Sequence, residues 1–406
     1  MTAPPAPATT DPAQTITVSD PVAAATALMP RIQAARDEIE DNRSLPVDLV
    51  EAMAAANLFQ LGLPKSAGGP EHDPLTSFQA IEALARADGS VGWCASIASS
   101  VSVTVGGWLP AEILISMFGA PPDARIAGSV RPEGTALEVG GGYLVSGRWD
   151  FASGIEHANW LFCSCKISDG NGPKVNENGV PQVRTLMVPR SSATRIDTWV
   201  SAGMRGSGSH DFEIKDVFVR SEYTLSTAAP PHAHGLIYHP RLTRICSWTH
   251  TAGVALGIAR GALDALSELG TRKTSMTTTP LRQRPEVQTA AGQGEAILGA
   301  ARAYLFHTVV AAFDAIEASA ADPQAPDPGP AVARARLAIT HSMHEAVRCV
   351  DILFHAAGTL SVYRRNVIER CFRDVHVARQ HAAAMPVHFQ TAGKATLGFQ
   401  LNEPGW

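Results

Sequence analysis

His376, His381 and His388 stand in a C-terminal stretch where no Asp or Glu occurs between Asp374 and Glu403. Imidazole titrates near neutrality, so such a stretch can hold or pass a proton without a carboxylate. Far upstream, Phe151 and Ser153 form an aromatic-x-Ser unit within Val145-Ser146-Gly147-Arg148-Trp149-Asp150-Phe151-Ala152-Ser153-Gly154. Taken alone, that unit reads as a core aromatic followed by a turn residue. Other sets carry less. His341 and His344 sit three apart before Glu345, whereas a zinc helix needs two His four apart around a Glu, so they read as a polar helix face. His232, His234 and His239 fall in a Pro-containing stretch that reads as a solvated linker. Cys163 and Cys165 alternate as on a strand, which points two small side chains into one core.

The frame that must position these residues is large. With 406 residues, 45% hydrophobic and 17% charged, the chain can bury a substantial core and divide into two or three domains. Its net charge of −5 is spread without a basic stripe, which argues against a nucleic-acid or anionic-membrane partner and for a small-molecule target. Cys94, Cys163, Cys165, Cys246, Cys349 and Cys371 lack metal-site or disulfide-framework spacing and read as reduced thiols of a cytoplasmic protein. The Ala/Pro/Thr-rich opening has no basic n-region and no long apolar core, so it reads as a disordered tail over residues 1–19.

Three grammars follow. Residues 20–122 repeat apolar positions at helical spacing, and Asp88-Gly89-Ser90 supplies a cap ahead of the apolar run Val91 to Val105. Residues 123–230 turn to short runs rich in Val, Ile, Phe and Tyr, punctuated by Gly. Residues 231–406 return to long helical patterns, broken by the Pro-rich segment Asp322 to Pro330. The expected class is α+β: an N-terminal helical domain, a central β barrel or sandwich, and a C-terminal four-helix bundle. No glycine-rich phosphate loop follows a strand, which leaves a doubly wound dinucleotide fold unsupported.

The ordered motifs resemble the acyl-CoA dehydrogenase family. Beside the Phe151-Ala152-Ser153-Gly154 segment, they are Gly203 to Asp211, Gly253 to Gly261, Phe354-His355-Ala356-Ala357-Gly358-Thr359, and Ile368 to Asp374 with its Arg373-Asp374 pair. The resemblance runs from about Asp20 to His388. It implies that Phe151 stacks on a flavin ring and that Ser153 donates to its N5 edge. It further implies that Ser129, Arg272 and Gly358 help to bind the cofactor, and that four copies assemble, since a neighbouring subunit completes the flavin site.

A dehydrogenase of this family takes a substrate proton with a carboxylate placed just after the Arg-Asp pair; aligned here, that position is Ala382. Some members draw the base from an earlier helix, which keeps a dehydrogenase as one alternative. The flavin monooxygenases built on the same fold, which act on 4-hydroxyphenylacetate or dibenzothiophene, are similar in placing a histidine in the last helix and a serine in Phe-Ala-Ser-Gly. His381 and Ser153 match both, so they are the expected catalytic pair. Ala87 to Trp93 resembles the opening of the helix that lines the subgroup's substrate pocket, which places Trp93, Ser100 and, from the last helix, His388 there. Several relatives carry a histidine near the position of Ser100, but Ala98-Ser99-Ser100-Val101-Ser102 has none.

The resemblance thus implies the oxygenase component of a two-component flavin-dependent monooxygenase. Reduced flavin, FMN or FAD, would arrive from a separate NAD(P)H-dependent reductase, react with O2 to a 4a-hydroperoxide and hydroxylate an aromatic such as a phenol, an indole or an aromatic polyketide. The alternatives are an N-hydroxylase of an amine or amino sugar, an acyl-CoA dehydrogenase and a flavin-binding protein without turnover. No metal is expected.

Overall fold

A computed structural model describes residues 20–271 and 279–399. The expected tail at 1–19 and the expected cofactor residue Arg272 lie outside the described residues.

Six helices come first: α1 (Pro21–Ala34), α2 (Arg36–Asn42), α3 (Val47–Ala55), α4 (Pro74–Ala87), α5 (Gly89–Trp108) and α6 (Ala111–Phe118). Local chemistry sets their starts. The carboxylates of Asp20, Asp73 and Asp88 each accept two backbone N–H groups at the openings of α1, α4 and α5, which satisfies donors that the helix leaves unpaired. Pro21 and Pro74 occupy first turns, where their fixed φ suits a helix and no N–H is needed.

Seven strands follow: β1 (Ile126–Val139), β2 (Gly142–Ala152), β3 (Trp160–Ser168), β4 (Val183–Pro189), β5 (Thr194–Ile196), β6 (His210–Arg220) and β7 (Thr224–Leu225). They form one mixed sheet in the order β5-β6-β2-β1-β3-β4-β7, with β1 and β3 parallel and the other pairs antiparallel. Trp149 and Phe212 stack at 5.1 Å in its core. Gly134 makes room for Trp149, because a Cβ there would lie 2.1 Å from the indole.

The C-terminal part holds α7 (Pro240–Leu269), α8 (Pro285–Ala321), α9 (Gly329–Ala357), α10 (Val367–Ala378) and the short α11 (Val387–Thr396). The break between α8 and α9 falls in the Pro-rich segment, as its composition requires. Helix α7 lies against α4, α5, α9 and α10, so one apolar core runs from the N-terminal helices into the bundle. Gly257 and Gly261 permit that approach, since a Cβ at either would lie within 2.6 Å of a backbone oxygen of α4. Helix α8 has the length and apolarity to cross a bilayer, yet Glu295 pairs with Arg260 of α7 and Arg302 with Glu82 of α4.

Candidate active site

The pairing between β2 and β6 slips between Trp149 and Ala152, and Phe151 sits in that bulge with φ at +59°. A left-handed conformation costs a non-glycine residue about 1 kcal/mol or more, a strain that surrounding structure must hold. The result is a change of direction. Phe151 turns outward and stays 51% exposed, whereas Ser153 turns inward and is 7% exposed. Arg131 lies over the Phe151 ring at 5.0 Å and Trp199 meets it edge-on at 6.2 Å. This open aromatic face beside a buried hydroxyl suits a flat, partly polar ring system such as isoalloxazine.

Ser153 belongs to a hydrogen-bonded chain with a fixed direction. Trp93 Nε1, on α5, donates to Ser153 Oγ at 3.0 Å; Ser153 and Ser209 share a bond of 2.7 Å, and Ser209 and Ser207 one of 2.8 Å. Ser207 Oγ donates to the Met204 carbonyl at 2.7 Å. A carbonyl can only accept, so the Ser207 proton is committed to it, the Ser209 proton goes to Ser207 and the Ser153 proton to Ser209. Ser153 therefore presents a lone pair to any ligand. The resemblance implies a donor to a flavin N5 edge at this position; a lone pair in this arrangement suits the N5–H of a reduced flavin.

His381 meets this chain through Trp93, its ring edge-on to the indole at 5.5 Å. It lies outside the last helix, contrary to expectation: α10 ends at Ala378, and His381 caps the 3-10 turn Ala382–Ala384 before α11. Asp374 is the last carboxylate on α10 and the chain turns before Pro386, so the helical pattern breaks there. His381 Nδ1 accepts from Ala383 N at 3.2 Å, which leaves the proton of the neutral ring on Nε2. Burial pushes its pKa down to about 4, so the neutral form prevails near pH 7.

One face of α5 carries the site onward. Most of the helix is buried; Trp93, Ile97, Ser100, Val101 and Thr104 are its exceptions. At 3.6 residues per turn these five fall within about 100° of arc, so they line one groove. Across it, α7 offers Arg244, Ser247 and Trp248, which are also not buried. Ser100 Oγ and the Ser247 carbonyl are 3.1 Å apart, and Ser100 Oγ lies 3.1 Å from His250 Nδ1. The stretch around Ser100 has no histidine in sequence, yet the fold supplies one from α7. His388, on α11, donates Nε2–H to the Ala382 carbonyl at 2.9 Å and packs on Trp248 at 4.9 Å.

Other expected residues stand apart from this set. Ser129, buried on β1, accepts from Arg131 N at 3.4 Å, next to the guanidinium that covers Phe151. Gly358 caps α9 with φ at +59° and open space around it, and the contacts that unite Trp93, Ser153 and His381 do not extend to it. His376 pairs with Asp351 at 2.9 Å, and His344 with the Ala384 carbonyl at 2.9 Å. A cavity of about 380 Å³ lined by Pro64, Gly106, His232, His234 and Tyr238 takes in none of the groove residues. All six cysteines are buried and free. Reasoning from sequence missed Trp199, Ser207, Ser209, Trp248 and His250. Only the Gly206-Ser207-Gly208-Ser209 run hinted at any of them, as a turn rich in hydroxyls.

Helices, mixed sheet and bundle, with an aromatic face over a buried hydroxyl chain, define a flavoenzyme of acyl-CoA dehydrogenase architecture. Two domain families match the chain: the acyl-CoA dehydrogenase N-terminal domain over residues 23–106 and the acyl-CoA dehydrogenase C-terminal domain over residues 249–386. Indole-3-acetate monooxygenase of Pseudomonas putida is 31% identical over 372 residues, spanning 91% of this chain and 92% of that protein. The flavin-dependent monooxygenase oxygenase subunit HsaA of Mycobacterium tuberculosis is 30% identical over 372 residues, spanning 88% and 90%. The crystal structure of 3-HSA hydroxylase from a Rhodococcus superposes with a TM-score of 0.84 at 25% identity, covering 95% of this chain and 99% of that one. The chain belongs to the flavin-dependent monooxygenases of the acyl-CoA dehydrogenase fold.

Proposed function

We propose that this chain is the oxygenase component of a two-component system that inserts one oxygen atom into a small aromatic substrate, with reduced flavin delivered by a separate NAD(P)H-dependent reductase. The observation that carries this reading is the meeting of Ser153 and His381 on Trp93, in a set whose hydrogen bonds run only to hydroxyls, ring nitrogens and backbone groups among the described residues. When bound, reduced flavin supplies the activation of O2. Phe151, with Arg131 and Trp199 against it, would hold the ring; by the family resemblance Ser129 and Gly358 would contribute to the same cofactor.

Ser153 Oγ would accept the N5–H of the cofactor, and Trp93 and Ser209 hold that oxygen in place. His381, half-buried and with its proton on Nε2, would donate toward the oxygen to be transferred. A dehydrogenase needs a carboxylate here, and Ala382 stands where the resemblance places it. On α7 the acids are Asp264 and Glu268; Asp264 lies fourteen residues past His250, about 21 Å along the axis, and pairs with Arg86. The relatives' names, indole-3-acetate monooxygenase and an oxygenase subunit, favour an aromatic acceptor and a separate reductase.

The flavin is FMN or FAD. The working particle is a cytoplasmic homotetramer, in keeping with the exposed Val362 and Tyr363 beside Gly358, which a neighbouring copy would cover. Mixing the reduced-flavin enzyme with air and a panel of phenols and indoles tests the reading. Expected is a transient absorbance that belongs to neither reduced nor oxidised flavin, followed by a hydroxylated product. Reoxidation at the rate of free flavin, with every aromatic unchanged, overturns it.

A further inference from the structure

Ser100 and His250 come from different helices and meet at the groove, seven residues beyond Trp93 on the same face of α5. At 1.5 Å per residue that places Ser100 about 10 Å from Trp93, roughly the length of one or two fused aromatic rings. Ser100 is half-buried, while His250 is 1% exposed and held among the buried residues of α7. A buried imidazole in a helix joint is costly unless it is paired, and His250 is paired with Ser100, a half-buried hydroxyl on the open face of α5.

The polarity of the pair follows from its third member. Ser100 Oγ lies 3.1 Å from both the Ser247 carbonyl and His250 Nδ1. The carbonyl takes the single hydroxyl proton, so the bond to His250 forms with Nδ1–H as donor to Ser100 Oγ. Ser100 is left with one lone pair toward the groove, strengthened as an acceptor by the proton it has given away. Ser247 Oγ in turn donates to the Thr243 carbonyl at 3.0 Å, so it does not compete for that lone pair.

We infer that the Ser100–His250 pair is the substrate anchor: Ser100 accepts a hydrogen bond from a ring-bound O–H or N–H of the aromatic substrate, and His250 is the positioning residue that fixes Ser100 as an acceptor. The inference rests on the proposed function for the identity of the groove as the substrate's site, and it narrows the substrate class to phenols and N–H heteroaromatics. It also accounts for how a chain without a histidine in the segment 98–102 can still place one at that end of the groove.

The test compares donor-bearing aromatics with their masked partners, a phenol against its methyl ether and indole against N-methylindole. Binding is read without oxygen, by quenching of tryptophan fluorescence in the enzyme loaded with reduced flavin; turnover is read separately after air is admitted. The wild type is expected to bind each donor-bearing compound about tenfold more tightly than its masked partner, the scale of one buried hydrogen bond. Ser100→Ala should bring that ratio to near one. His250→Leu should do the same, and His250→Asn, whose amide can donate from the Nδ1 position, should restore most of it.

A merely structural joint between α5 and α7 would weaken both members of each couple alike and leave the ratio in place, and that result overturns the inference. Because Ser100→Ala removes only one atom from a half-buried position, it carries the test even if His250→Leu fails to fold. A ratio that collapses in the variants while no aromatic is oxidised by the wild type supports the anchor and sinks the oxygenase reading, so the two failures are separable.

Discussion

Two polar regions of this molecule, scarcely one helix apart, are built from opposite materials. The hydrogen-bonded set along α5 is uncharged: hydroxyls of Ser100, Ser153, Ser207 and Ser209, the indole of Trp93, and the imidazoles of His250 and His381. Where α2, α10 and the loop 201–208 converge, the chain is ionic instead. Glu40, 6% exposed, faces Arg364 and Arg373 at 3.0 Å, Arg205 at 3.4 Å and Arg370 at 3.5 Å. Asp374 accepts Met204 N at 2.6 Å, and burial beside Asp88 raises its carboxyl above the ordinary range. The carboxylates of Glu40 and Asp374 fasten α2, α10 and this loop to one another. The loop 204–209 serves both regions: Met204 N binds the ionic cluster, and its carbonyl terminates the hydroxyl chain.

This division can be broken from either side. The largest effect belongs to the groove: His381→Ala should lower product formation about 10²-fold or more, the usual scale for a positioned proton donor, with O2 consumption diverted to hydrogen peroxide. Equal product yield, measured by chromatography, would remove His381 from the chemistry. Glu40→Gln strikes the ionic side and should cost about 3 kcal/mol of stability in denaturant unfolding, because it strands several guanidinium groups around a buried site. In the folded variant the fraction of flavin oxidation that yields product should be retained; a loss of it would show that the two regions are not separate.

Ser153→Ala should reduce coupling about tenfold, a smaller effect because one hydrogen bond is lost and the aromatic face remains. Peroxide release assays check it, and unchanged coupling would mean that Ser153 does not touch the cofactor. The smallest effect is a pH dependence with a fixed sign. Burial pushes the His250 pKa down to about 4, below the unfolded value near 6.5. Between those values the unfolded chain binds more protons, so this group makes the protein less stable as pH falls through the window and adds nothing above it. The buried carboxyls of Asp88 and Asp374 are raised and act with the opposite sign. The observable is therefore the difference in stability between wild type and His250→Asn, which should move against the wild type as pH drops from about 6.5 to 4; a pH-independent difference would show His250 to be solvated.

The fold was legible where a residue type has one local job. The Asp88 cap of α5 and the Pro-rich break before α9 mark element ends by backbone chemistry alone. Phe151 and Ser153 were legible as a pair only through resemblance, since nothing in the local pattern announces a bulge with a left-handed Phe. His381 was found as a residue but misplaced in a helix, because an Ala-rich run has helical propensity and only Pro386 and the capping contact to Ala383 contradict it. His250 was out of reach altogether. Its partner Ser100 lies 150 positions away on another helix, and the helical phase that brings the two side chains together is set by the close contact of α7 with α4 and α5.

The most direct measurement supplies the reduced-flavin enzyme with isotopically labelled O2 and a phenol or indole that it binds, and weighs the product by mass spectrometry. One labelled oxygen atom in the aromatic product is the expected result. An unlabelled aromatic, together with oxygen-independent bleaching of the enzyme's oxidised flavin by an acyl-CoA thioester, would contradict it and return the chain to dehydrogenase chemistry.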